Sequence, residues 1–171
     1  MKTALAVILF ATSAFAQDPS VAAAGSACGP VETQFVVKTD SVSRAQQPAD
    51  PSKALVYVIE DQKFKAFNDV TARVGLDGAW VGANRGNSYL FFLVDPGEHH
   101  LCTDWISQWL PDGRLVSLAL LTAEPGKTYY FRVRTTGARY EVPSIDLDRV
   151  NSDEGKFLVA SSLPSVSHPK K

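Results

Sequence analysis

The sequence carries no surplus of positive charge: among its 171 residues, 17 Lys and Arg face 18 Asp and Glu, for a net charge of −1. A chain without excess cations has nothing to set against a run of phosphates, so nucleic acid is not an expected partner. Beyond residue 17 there is also no apolar run approaching the ~20 residues of a membrane-spanning helix, and no transmembrane segment is expected in the mature chain. Hydrolase signatures are missing as well: neither a Gly-x-Ser-x-Gly elbow nor a His-Glu-x-x-His pair occurs. Histidine is limited to His99, His100 and His168, and cysteine to Cys28 and Cys102.

What is present begins at the N-terminus. Lys2, the apolar run Ala4 to Ala11, and Ala14-Phe15-Ala16 before Gln17 have the order of a secretory signal peptide, with cleavage expected after residue 16. The mature chain of about 155 residues is then the size of one domain, exported to the periplasm or the extracellular space. Both cysteines remain in it, and an even pair in an oxidising compartment predicts a Cys28–Cys102 disulfide. Closing a loop of roughly 75 residues, the bridge is worth about 4 kcal/mol by chain-entropy reasoning. Lipidation of Cys28 behind Gly25-Ser26-Ala27 is the rival, but the apolar segment ends a dozen residues too early.

Residues 17–53 read as a flexible N-terminal arm holding one strand, around Phe35 and Val37, and a linker from Asp40 to Lys53 with few apolar residues. The body spans 54–162. Leu55-Val56-Tyr57-Val58-Ile59 is apolar without helical spacing, as a central strand would be. Asp77-Gly78 between Thr71–Leu76 and Ala79–Gly82 is the dipeptide of a type I′ hairpin turn. Pro96-Gly97 and Pro125-Gly126 suit type II turns, and Pro111-Asp112-Gly113 introduces Leu115 to Leu121. Turn chemistry about every ten residues predicts a mainly β fold, an antiparallel β-sandwich of about eight strands. One short C-terminal helix is expected, with Asn151 as its cap, Glu154 reaching back to Asn151, and Phe157 and Leu158 docked on the sheet. Residues 163–171 read as a loose polar tail.

The succession Leu76-Asp77-Gly78-Ala79-Trp80-Val81-Gly82, Asp95-Pro96-Gly97-Glu98-His99, Glu124-Pro125-Gly126-Lys127-Thr128-Tyr129-Tyr130 and Glu154-Gly155-Lys156 resembles a bacterial secreted and lipoprotein family, domain of unknown function 2846, over roughly Ala54 to Ser161. The resemblance implies a small β-sandwich of the cell envelope. It assigns no activity and no catalytic residues.

Candidate chemistry is sparse. In His99-His100-Leu101-Cys102, only His100 and Cys102 can share a strand face, too few ligands for zinc. Asp146, Asp148, Asn151 and Asp153 cluster oxygens, but without the spacing of an EF-hand. No metal and no cofactor is expected. Trp105 and Trp109 flank Ile106-Ser107-Gln108 before a turn, where exposed indoles could stack on a sugar or grip a protein. Tyr130, Arg132 and Arg134 share one strand face, a half-polar outer surface. The expected function is therefore a non-enzymatic binding or structural accessory of the envelope, with an unknown envelope protein or a glycan as partner. A carbohydrate-binding module using Trp105 and Trp109 is the first alternative, a hydrolase the second.

Overall fold

The computed structural model describes residues 19–40, 50–62, 71–106, 114–136 and 143–171. The expected signal peptide, most of the linker, Trp109 and the Pro111-Asp112-Gly113 turn lie outside the described residues. Along the chain run α1 (Pro19–Gly25), β1 (Phe35–Thr39), β2 (Ala54–Glu60), β3 (Thr71–Leu76), β4 (Ala79–Arg85) and β5 (Ser88–Val94). They are followed by β6 (Gly97–Ile106), β7 (Arg114–Ala123), β8 (Thr128–Thr136), β9 (Ser144–Val150), α2 (Ser152–Ser161) and β10 (Leu163–Pro169). The strands form a six-stranded sheet, β1-β10-β5-β2-β8-β9, and a four-stranded sheet, β4-β3-β6-β7.

The architecture is the expected β-sandwich, enlarged to ten strands and not purely antiparallel. The long ladders are antiparallel, but β2 runs parallel to β8 and β10 parallel to β5, the latter over only Leu163↔Ser88 and Pro164↔Tyr89. β2 is central and apolar on both faces, as its composition implies. Val56 and Val58 point between the sheets, where they meet Val74, Leu101, Leu121, Phe131 and Val133 in the main core. Tyr57 and Ile59 point the other way, into a second cluster with Tyr89, Tyr130 and Leu158 on the outer face of the larger sheet. There the Tyr57 and Tyr130 rings stack 5.3 Å apart at an interplanar angle of 9°.

The hairpin chemistry is realised at β3–β4. Asp77 has φ 50° and Gly78 φ 89°, the paired left-handed conformations of a type I′ turn. Gly126 has φ 68°, and the Lys127 amide closes its turn on the Glu124 carbonyl (3.2 Å). Gly97, at φ 141°, already belongs to β6.

Three expectations are corrected. The lead into the domain contains α1, because its Val-Ala-Ala-Ala run favours helix and the Ser26 amide closes the end on the Ala22 and Ala23 carbonyls. The tail is not loose: β10 pairs with β1 from Phe35↔Pro169 to Thr39↔Ser165. Its anchor is polar, since Ser167 Oγ accepts from the Ala83 amide and Ser165 Oγ donates to the Ala83 carbonyl, each at 2.9 Å. Across the other seam, Ser117 Oγ of β7 accepts from the Leu147 amide of β9 (3.0 Å). Serine hydroxyls thus bridge the two sheets where no ladder does.

The third correction concerns α2. Asn151 caps it as expected, its side-chain oxygen accepting from the Asp153 and Glu154 amides at 3.0 Å. Glu154, however, turns to Arg132 (Oε1 to Nη1, 3.3 Å), and only Leu158 docks, whereas Phe157 is 68% exposed. What seats the helix is Gly155, which lies flat on the Tyr130 ring. A Cβ there would stand 2.2–2.5 Å from three Tyr130 atoms. Replacing glycine by alanine inside an open helix gains up to about 1 kcal/mol. Here Gly155→Ala is expected instead to destabilise by about 1–3 kcal/mol through overpacking, read as a lower urea midpoint at unchanged m-value.

Candidate functional site

The outer face of the four-stranded sheet carries a buried ion pair and the disulfide, built on two alternate rungs of the β3–β6 ladder, with the Val74–Thr103 rung between them. On the first, Arg73 stands opposite Asp104, and on the second Gly75 stands opposite Cys102. Both charged residues are buried: Arg73 is 3% exposed and Asp104 0%. Nε and Nη2 of Arg73 donate to the two carboxylate oxygens at 2.6 and 2.5 Å, a bidentate pair. Nη1 donates to the carbonyls of Val31 (2.8 Å) and Thr33. The guanidinium carbon also lies 4.3 Å from the centre of the Trp80 ring, a cation–π contact.

The cover over this pair is the arm, residues 27–34. Trp80 Nε1 donates to the Pro30 carbonyl (2.8 Å), the Gly78 amide to the Ala27 carbonyl (3.0 Å), and Cys28 is bonded to Cys102, with Cα atoms 5.2 Å apart. The disulfide expected from the sequence is present. Gly75 is what lets the arm approach, because a Cβ at that position would meet the Ala27 carbonyl oxygen at 2.8 Å and Cys28 Cα at 3.2 Å. The arm is therefore a strap tied down by charge, carbonyls and sulfur.

The residues singled out by sequence do not converge on one site. Trp105 is inside, 8% exposed in the main core, so it offers no platform to a sugar. A strand alternating Trp105, Thr103 and Leu101 inward leaves the indole no route outward. Trp109 lies outside the described residues. Tyr130 is buried beneath α2, which removes it from a solvated face. Arg132 does reach the outer surface, but it is held bidentately by Asp61 (2.9 and 2.8 Å) and reached by Glu154, while Arg134 pairs with Asp148. These cations are occupied. Among the described residues no group of three or more His, Cys, Asp or Glu is arranged to hold a metal ion.

His99 sits at the turn end of the sandwich. Nδ1 is 2.6 Å from Asp77 Oδ2 and Nε2 is 2.8 Å from the Asp95 carbonyl. Both partners are acceptors, so both bonds form together only when both ring nitrogens carry protons. Burial alone would push the His99 pKa down. The hydrogen bonds to Asp77 and the Asp95 carbonyl and the charges of both aspartates outweigh it and raise the pKa above 6.5.

At the opposite end, the sequence reading missed Glu60, the last residue of β2. It is 2% exposed, and its Oε2 has no hydrogen-bond partner. Burial first, and then the charge of Asp61, push its carboxyl up to about 8. The one signal in the sequence was parity: Glu60 falls on the same face as Val56 and Val58.

Comparison with known protein families, curated proteins and solved structures finds no match to this chain.

Two outcomes are expected. Asp104→Ala strands a buried guanidinium and should cost about 3–5 kcal/mol in denaturant unfolding, whereas the Arg73→Leu/Asp104→Leu double variant should lose less. For His99 the folded pKa is the raised one, so its contribution is complete below about pH 6.5 and is lost as pH rises through the folded value. Urea midpoints measured across that range should fall more steeply for the wild type than for His99→Gln.

Proposed function

We propose that the chain is an exported, non-enzymatic accessory domain of the cell envelope, with a binding or structural role. The observation that carries this reading is the Cys28–Cys102 disulfide, because structural disulfides persist in oxidising compartments. It agrees with the leader-like order of residues 1–16 and with the family resemblance over Ala54 to Ser161. Among the described residues no helix is long and apolar enough to cross a membrane.

Support for a non-enzymatic role comes from the histidine best placed to act as a base. Asp77 orients His99 as an acidic residue orients the base of a catalytic triad, yet the nitrogen that would face a nucleophile is bonded to the Asp95 carbonyl. A ring engaged on both sides accepts no further proton. For binding, the outer face of β7 presents Val116, Leu118 and Leu120 in alternation, 45%, 43% and 56% exposed beside the strapped arm. A row of aliphatic side chains in water suits contact with an apolar patch on an envelope protein.

The reading is tested by expressing the full chain and a version lacking residues 2–16 in a bacterial host. The full chain should be recovered from the periplasm or medium, shortened by 16 residues and with the mass of the oxidised form before reduction. The truncated version should stay in the cytoplasm with two free thiols. Recovery of the full chain from the cytoplasm, uncleaved and reduced, would falsify export and the function that depends on it.

A further inference from the structure

Two buried acceptors at the Glu60 end of the sandwich have no donor. One is Glu60 Oε2 and the other is Oδ1 of Asn84, a β4 residue with 0% exposure. Asn84 Nδ2 donates to the Val58 carbonyl (2.9 Å), which fixes the amide: turned over, it would set oxygen against oxygen. Val58 and Glu60 are alternate residues of β2, about 7 Å apart along the strand. The two orphan oxygens therefore belong to one small region between the sheets. Buried polar atoms without partners are rare enough that a pair of them calls for a missing donor.

Among the described residues, no donor of the surrounding elements reaches either oxygen. β5 offers Ser88, whose hydroxyl is spent on its own turn, donating to the Arg85 carbonyl (2.5 Å) and accepting from the Arg85 amide (3.1 Å). β8 offers Val133 and Thr135, and the Thr135 hydroxyl donates to Gln62 Oε1 (2.7 Å). β3 and β6 present Ala72 and Trp105 inward at this level. None of these is ionisable. The charged groups of the same elements belong to other environments: Asp61 binds Arg132, which also meets Glu154 of α2; Arg73 binds Asp104 under the arm; and Arg85 alternates with Asn84 on β4. An ionised Glu60 would meet the charge of Asp61, which has the same sign.

We propose that Glu60 and Asn84 form a proton-binding site inside the sandwich, with Glu60 held as a neutral carboxylic acid whose proton is the donor available to the Asn84 amide oxygen. Loss of that proton leaves an uncompensated charge between the sheets and loosens the end of the fold from which β2 emerges. The site thus ties the stability of the domain to the pH of its surroundings through a group other than a histidine. Because the folded state keeps a proton that the unfolded chain releases, the folding equilibrium constant should fall up to about tenfold per pH unit between about pH 4.5 and 8.

The experiment is a pH titration of the oxidised protein labelled with ¹³C at the glutamate carboxyl carbons, in sodium chloride and again in ammonium chloride, alongside urea unfolding. One carboxyl carbon of the wild type should titrate near pH 8 in both salts and be missing from Glu60→Gln. That variant should also lose the extra pH slope of unfolding, while His99→Gln keeps it. The proposal is overturned if every glutamate titrates in the ordinary carboxylate range, or if Glu60→Gln unfolds with the wild-type slope. It is equally overturned if the high midpoint drops in ammonium, since a cation would then hold the place assigned to the proton. Should Glu60→Gln not fold, the wild-type titration decides alone.

Discussion

A guanidinium and a carboxylate buried on the outside of a sheet need a cover, and in this protein residues 27–34 provide it. Taking both ions out of water costs several kcal/mol each, recovered only when their donors find acceptors. Arg73 places four of its five N–H donors, two on Asp104 and two on the carbonyls of Val31 and Thr33. The carbonyls belong to the arm, so the ion pair is satisfied only with the arm in place. Displacing the arm would remove two acceptors and admit water to the pair at the same time. The arm's register is equally constrained, because the next rung on the same face accepts it only where Gly75 lacks a side chain.

The larger sheet solves a related problem with apolar material. β2 is greasy on both faces, so its outer face needs a roof as much as its inner one does. A 10-residue helix supplies it, with Leu158 beside the aromatic cluster and Gly155 on the Tyr130 ring. Such a helix is too short to persist alone, and its tertiary contacts decide its fate. Each sheet thus carries one non-sheet segment on its outer face, held by ions in one case and by aromatic rings in the other.

These two covers also mark how far the sequence was legible. Strands with bulky, β-branched runs and the Asp77-Gly78 and Pro125-Gly126 turns announce themselves locally, and they stand where the sequence places them. The Asn151 cap was legible for the same reason, as a local exchange between a side chain and the next amides. β10 was not, because Ser165 and Ser167 hold it through hydroxyls on a strand 82 and 84 residues away, and no apolar period accompanies them. The arm was opaque in another way: its role is exercised through backbone carbonyls, which any residue possesses. Trp105 and Tyr130 were aromatic residues whose side of the sheet decided their meaning, and Glu60 was a polar residue at a strand end, where the eye expects the chain to be leaving the core.

The disulfide and the ion pair act on different states of the chain. If Cys28 and Cys102 were reduced, the arm would still be held by Arg73, by the Trp80 indole and by the Gly78 amide, so the contacts that choose its position do not include the sulfur bond. A bridge across a sequence separation of 74 residues works chiefly by restricting the unfolded chain, an effect of about 4 kcal/mol. Position is therefore specified by charge and hydrogen bonding, and the covalent link deepens the stability of an arrangement already specified. A domain built this way can form its native arm before oxidation and be locked by oxidation afterwards.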